Sequence, residues 1–269
     1  MRSAVRSSVA RPVEAQQAAG ELRRGLWPAV LAEIRWAFTP PRAWLSGVAV
    51  NLVLSSIWLL VQPVRHEAHR DWVVLIGTYF SSFILADVTT TNVLGVDNIR
   101  VEKSLAGGTS LWRLLFVKNT ALLVIVGVPT LLFAMALTLW LERPGRLAVT
   151  IPDVAVPILS WLGVGNLISV LLPIGYEPLI RRWRRRREVG RTALWLVHLA
   201  LPYALFYLAD PVYGMPQVIF WRHVPAVLGP ALGPEGGRGV IHIGGALLVW
   251  LIGTTLAALL FRVRGLRLK

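Results

Sequence analysis

The chain has no cysteine, which excludes both a disulfide framework and a thiolate metal site. Acidic residues are scarce: 14 Asp and Glu stand against 28 Lys and Arg in 269 residues, a formal net charge of +14. No Gly-x4-Gly-Lys-Ser/Thr run occurs, so the chain has no Walker phosphate loop, and the Gly-x-Gly-x2-Gly dinucleotide fingerprint is also missing. Gly163-Val-Gly165 lies inside an apolar run with no strand ahead of it and reads as membrane helix, not as a nucleotide loop. His-Glu-x2-His is absent, and the histidines His66, His69, His198, His223 and His242 are scattered. His66 and His69 share a loop at a spacing of three but lack a third ligand, so they read as a solvated pair. No catalytic residue and no metal ligand set is identified, and the chain is not read as an enzyme. The first twenty residues are rich in Ala, Ser, Val and Arg and hold no apolar core of signal-peptide length. Residues 1–25 read as a cytoplasmic tail, ahead of a single membrane domain over 26–269.

What the chain does have is apolar length. Apolar residues make up 55% of it and the mean hydropathy is +0.60, above the 45–50% typical of soluble domains. A membrane helix needs roughly 20 mostly apolar residues to cross about 30 Å of hydrocarbon. Six stretches qualify: Ala43–Val64, Trp72–Val96, Leu114–Leu141, Val154–Gly175, Thr192–Leu208 and Val240–Phe261. Backbone groups in lipid must be paired internally, and these runs do not alternate as barrel strands would. The expected fold is therefore an all-α polytopic membrane protein with six spans.

Basic residues set the expected orientation. The two termini and the second and fourth connections between spans carry 22 Lys and Arg, and the other three connections carry 6. The positive-inside rule places the rich set in the cytoplasm, with both ends of the chain. Trp44, Trp72, Trp140 and Trp195 fall at predicted helix ends, where amphipathic rings favour the headgroup layer. The run Arg181-Arg-Trp-Arg-Arg-Arg-Arg187 directly follows a span, which assigns it to topology and to lipid headgroups and not to nucleic acid.

Two segments flank this frame. Trp27, Val30, Leu31, Ile34 and Phe38 recur at helical spacing ahead of the first span, and Pro40-Pro41 ends the pattern. They predict an interfacial "elbow" helix over 26–40, either a surface anchor or a relay of motion. Trp36, on the polar face, fits neither reading well. The outer loop 209–239 holds five prolines together with Val218, Ile219, Phe220 and Trp221. That composition predicts a re-entrant segment, with an ordered surface loop as the alternative.

Polar groups inside spans are candidates for a translocation path, because an unpaired charge in hydrocarbon is costly. Asp87 is the one carboxylate well inside a span. It reads either as a gating residue or as a hydrogen-bond partner of Asn51 or Ser55. Asn51 in the first span and Asn166 in the fourth are further candidates for the path.

The connection 97–113 carries the most information. Arg100, Glu102 and Lys103 form a charged helical stretch, Gly107-Gly108 breaks it, and Leu111–Phe116 re-enters the membrane with Lys118 at the interface. The run Glu102-Lys103, then Gly108-Thr109-Ser110-Leu111-Trp112-Arg113-Leu114-Leu115, then Lys118, resembles the coupling loop of the ABC-type-2 exporter permeases. These are the membrane subunits of bacterial ABC exporters for drugs, glycolipids and polysaccharides. The resemblance spans roughly Leu26–Phe261 and implies a bacterial inner-membrane permease. By it, Asp97, Arg100, Glu102, Lys103, Gly107, Gly108 and Thr109 would contact a separate ATPase, and Trp27, Leu31, Ile34 and Phe38 would form the elbow helix. It also implies a second permease chain, identical or paralogous, and membrane lipids as partners. ATP and Mg would be held by the ATPase, with no cofactor on this chain. The substrate expected is an amphipathic drug, lipid or lipid-linked glycan. An ion-driven secondary transporter would need more intramembrane carboxylates than Asp87, a lipid-metabolism enzyme would need clustered Asp, Glu or His, and a scaffold subunit would move no substrate.

Overall fold

The computed structural model describes residues 25–39, 72–85, 88–173, 189–212, 214–216 and 236–265, with isolated helical positions at 49, 53, 56 and 57. Among the described residues there is no strand. The helices are α1 (Leu26–Ala37), α2 (Trp72–Leu85), α3 (Val88–Thr91), α4 (Asn98–Ala106), α5 (Leu111–Leu122) and α6 (Val128–Leu141), followed by α7 (Leu147–Leu171), α8 (Val189–Ala209) and α9 (Gly236–Arg264). A π-helical turn, Leu123–Gly127, joins α5 to α6 without a break. Three of these helical runs are long and apolar enough to cross a membrane: Leu111–Leu141, Pro144–Leu171 and Gly239–Arg264. Most of the predicted first span Ala43–Val64, Asn51 included, lies outside the described residues, as do Asp87, the basic run 181–187 and most of the outer loop.

Several ends differ from the sequence expectation for local reasons. The second span was expected to run to Val96, but helix stops at Thr91 and a turn covers 92–97. There the Thr90 hydroxyl donates to the carbonyls of Ile84 (2.8 Å) and Leu85 (2.9 Å), and Asn92 Oδ1 accepts the Gly95 amide at 3.2 Å. Side chains of this kind compete with the helical ladder. The third span starts at Leu111 instead of Leu114, because Ser110 caps it by accepting the Arg113 amide at 3.3 Å. The fourth starts at Leu147, which brings Asp153 into the helix. The π turn lies just before Pro129, whose missing N–H leaves the Ile125 carbonyl without its usual partner.

Among the described residues, helix α7 is the central one. In its most apolar stretch 78% of residues are buried, against 22% in α5–α6 and 28% in α9. Its core face brings Val154, Ile158, Trp161, Leu162 and Ile168 against Val73 and Ile84 of α2 and Val126. Trp161 stacks on Phe206 of α8 with centroids 4.4 Å apart and meets Tyr203 edge-on at 5.2 Å. The outer faces of α6 and α9 carry Leu132, Phe133 and Leu139, and Leu248, Ile252 and Leu259, all exposed, as lipid-facing surfaces must be.

Helices α7 and α9 run parallel. Gly239 at the start of α9 sits on Pro152 near the start of α7, while Ala257 packs in one cluster with Val170 near the ends. Midway, Gly163 and Gly253 let the backbones touch. A Cβ on Gly253 would lie 2.3 Å from the Gly163 carbonyl oxygen, and one on Gly163 would lie 2.7 Å from Trp250 Cα. One turn on, Asn166 Nδ2 donates to Thr254 Oγ1 at 2.7 Å, and Thr254 in turn donates to the Trp250 carbonyl at 2.6 Å. Small residues at closest approach with a hydrogen bond beside them are how helices associate where burial in water offers no drive. Gly253→Ala must push the backbones apart; it is expected to cost about 1–3 kcal/mol and lower the melting temperature in detergent. An unchanged melting curve would disprove this contact.

Candidate functional site

The most heavily charged buried site lies at one end of the bundle, where α1, α4 and α5 meet. Helix α1 begins with Pro28 in its first turn, where a missing N–H is harmless. It closes with the Thr39 hydroxyl on the Trp36 carbonyl at 2.7 Å. Ala29 and Val30 bury against Leu114, Leu115 and Val117 of α5. Glu33, one turn after Val30, therefore follows them into the interior and is only 8% exposed.

Helix α4 is short and tightly terminated. Its last carbonyls are taken by Gly108 N→Leu105 O (2.9 Å) and Thr109 N→Ser104 O (3.0 Å). This is the paired-bond stop of a Schellman motif, and it requires a left-handed residue just past the helix. Gly108 supplies it with φ 83°. Ser110 then caps α5 at once, so the link between α4 and α5 has almost no free length. Val101 and Ser104 anchor the inner face of α4.

Four charges close a ring there. Glu33 accepts from Arg100 Nη2 at 2.7 Å and from Lys118 Nζ at 2.6 Å. Asp97 lies 3.0 Å from Lys118 Nζ and 3.2 Å from Arg100 Nη1. Each cation thus touches both carboxylates, and the ring is formally neutral. Trp36 covers it, with its ring centroid 4.7 Å from the Arg100 guanidinium and 5.4 Å from Lys118 Nζ. An aromatic face over desolvated cations adds attraction without adding charge. The ring joins three elements that are distant in sequence: α1 through Glu33, α4 and its leading residue through Arg100 and Asp97, and α5 through Lys118.

The two carboxyls are not equivalent. Burial alone would raise Glu33, but Lys118 and Arg100 outweigh it and hold its pKa down at about 2. Asp97 is pushed up, by burial first and also by the Glu33 charge, against the pull of the same two cations. Glu33 is the preferred partner of the cations, and Asp97 takes up a proton first as the pH falls.

The structure divides the loop residues between two faces. Asp97 and Arg100 turn inward into the ring. Glu102 is exposed, together with Ile99, whose side chain is 54% exposed, and Ala106. Lys103 and Thr109 are half-buried, and Gly107 and Gly108 form the helix stop. In α1, Ile34 packs on the core, while Trp27, Leu31 and Phe38 point outward. Asn166 sits in the α7–α9 contact, 1% exposed. Sequence reasoning missed Glu33 altogether, and placed Lys118 only as the end of an amphipathic stretch. A usable signal existed, since Glu33 is the one acidic residue between Glu21 and Glu67. No group of three or more His, Asp or Glu able to hold a metal occurs among the described residues.

Glu33→Gln leaves an extra buried positive charge and is expected to cost about 3–5 kcal/mol. Asp97→Asn, which resembles the protonated form burial already favours, is expected to cost less. Because the Glu33 pKa is depressed, its contribution is full above about 4.5 and is lost as the pH falls through about 2. Unfolding of the purified protein as a function of pH reads both effects, and equal losses for the two variants would contradict the ranking. No family model, no curated protein and no solved structure matches the chain.

Proposed function

We propose that the chain is the membrane-spanning permease subunit of an ATP-driven exporter, with α4 as the element that docks on a separate ATPase. The observation that carries this reading is the division of α4 into two faces. Its inner face is pinned by Asp97, Arg100, Val101 and Ser104. Its outer face offers Ile99 and Glu102 beside a glycine-terminated stop. A charged nine-residue helix gains nothing in a lipid-facing role, and an exposed isoleucine with a glutamate at its polar rim is compatible with a protein partner.

In this reading six spans, α1 as elbow helix and a re-entrant segment before the last span complete the permease, and two such chains form the pathway. In the same reading α4 lies on the cytoplasmic side of a bacterial inner membrane, where ATP is available, and the basic connections support that side. ATP and Mg bind the partner, since the chain lacks a phosphate loop. The cargo is amphipathic, because the spans hold few fixed charges that could bind an ion.

Co-purification with the ATPase from a neighbouring coding sequence tests the reading. Ile99→Asp puts a charge into the dock and is expected to weaken the complex by about 2 kcal/mol, roughly thirtyfold, while leaving the fold intact. Gly108→Val, strained at φ 83°, is expected to misplace α4 and weaken it as well. Transport by the chain alone in liposomes without nucleotide would overturn the proposal.

A further inference from the structure

Helix α1 with its C-cap is apolar on two opposite sides, one buried against the bundle and one exposed. Ala29, Val30 and Glu33 face the bundle. Trp27 (67% exposed), Leu31 (51%) and Phe38 (46%) fall on the other side at spacings of four and seven. Arg35 is exposed within the same arc. A stripe of one Trp, two further apolar residues and an arginine suits the boundary between acyl chains and headgroups. The arginine selects the sign of the headgroup, as the +14 charge of the chain does on a larger scale. A protein surface would also cover apolar residues. The bilayer is favoured because α1 adjoins α5, the first turns of a run long enough to span it.

The opposite side of the same helix carries Glu33 into the charged ring, and Trp36 covers that ring. A rigid helix of 12 residues cannot tilt on its outer face without moving its inner one. We propose that Trp27, Leu31, Arg35 and Phe38 form a contact for anionic lipid, and that the Glu33–Arg100–Asp97–Lys118 ring passes the seating of α1 to α4. Anionic lipid would then set how firmly α4 is held for its partner. The inference rests on the membrane-spanning architecture and not on the ATPase, and its test uses no ATPase, so the two can fail separately.

Hydrogen exchange on the full chain in nanodiscs provides the test, with phosphatidylcholine alone or mixed with phosphatidylglycerol. Phosphatidylglycerol is expected to slow exchange in both 26–37 and 98–106 by about fivefold, the effect of one basic residue at the surface. Exchange in α7, buried at the centre, is expected to stay unchanged. Arg35→Gln, on the exposed face, is expected to abolish the lipid effect in both segments. The neutral pair Glu33→Gln with Lys118→Met is expected to keep the lipid effect in 26–37 and lose it in 98–106. If that double variant does not fold, Arg35→Gln decides alone: a lipid effect at 98–106 that survives it overturns the proposal. Equal exchange in the two lipids overturns it too. So does protection of 26–37 that follows the number of chains per disc, which would assign the stripe to a second copy.

Discussion

Four charges buried at one junction constrain everything around them. Removing a carboxylate or an ammonium from water costs several kcal/mol even after the protein relaxes. A ring of two acids and two bases is tolerable only if all four arrive together. Glu33 is satisfied only when Arg100 and Lys118 both reach it, at 2.7 and 2.6 Å. That requirement fixes α1 against α5, and it fixes α4 against both. The apolar cluster beside the ring, with Val30, Leu94, Val101, Leu115 and Ala257, supplies the drive for packing. The ring supplies the specificity, because sliding α1 by one turn would bury Glu33 away from both cations. The net contribution of such a ring to stability is small, but the cost of breaking it is not.

The asymmetry between the two acids sharpens this. Both see the same cations, yet Glu33 is held low and Asp97 is raised. The residue that comes from the distant helix is the one the site binds most firmly. Asp97 leads directly into α4, so the more loosely held acid sits at the start of the element proposed to dock. The tight Glu33–Arg100 pair therefore ties α1 to α4, while Asp97, the more weakly held acid, adds the link from α4 to Lys118 of α5.

Much of the frame is written in hydropathy and charge, since three long apolar runs and a glycine-terminated charged helix can be recognised one residue at a time. Gly108 signals its left-handed position because few other residues take φ 83° comfortably. The ring is different. Glu33 and Lys118 are 85 positions apart, and nothing local marks either as buried. Helical periodicity put Trp27, Val30, Leu31, Ile34 and Phe38 on one stripe, and the structure splits that stripe between the bundle and the outside. An apolar arc says how much surface wants to leave water, but not whether protein or lipid will receive it. Trp36 looked out of place on a polar face because its partners are cations and not apolar side chains. Helix ends such as Thr91 were missed for a related reason, since side-chain hydrogen bonds can end a run that hydropathy would continue.

The ring and the closest α7–α9 approach lie at different levels of one packed unit, joined by the cluster that holds Val30, Leu115, Val170 and Ala257. Gly163 and Gly253 leave no space for sliding between α7 and α9, so that pair moves as a unit if it moves at all. Lys118 belongs to α5, and the π turn at Leu123–Gly127 begins five residues beyond it. A turn with an additional residue in the ladder is a natural place for a helix to bend. Gly127 faces Ile158 of α7 there, where a Cβ would come within 3.3 Å. One contact with α7 is therefore made at the π turn, and α5 on the near side carries the ring while also packing on α9. In the proposed exporter, α1, α4 and the first turns of α5 meet a partner as one charged junction, packed on the same cluster that holds the ends of α7 and α9.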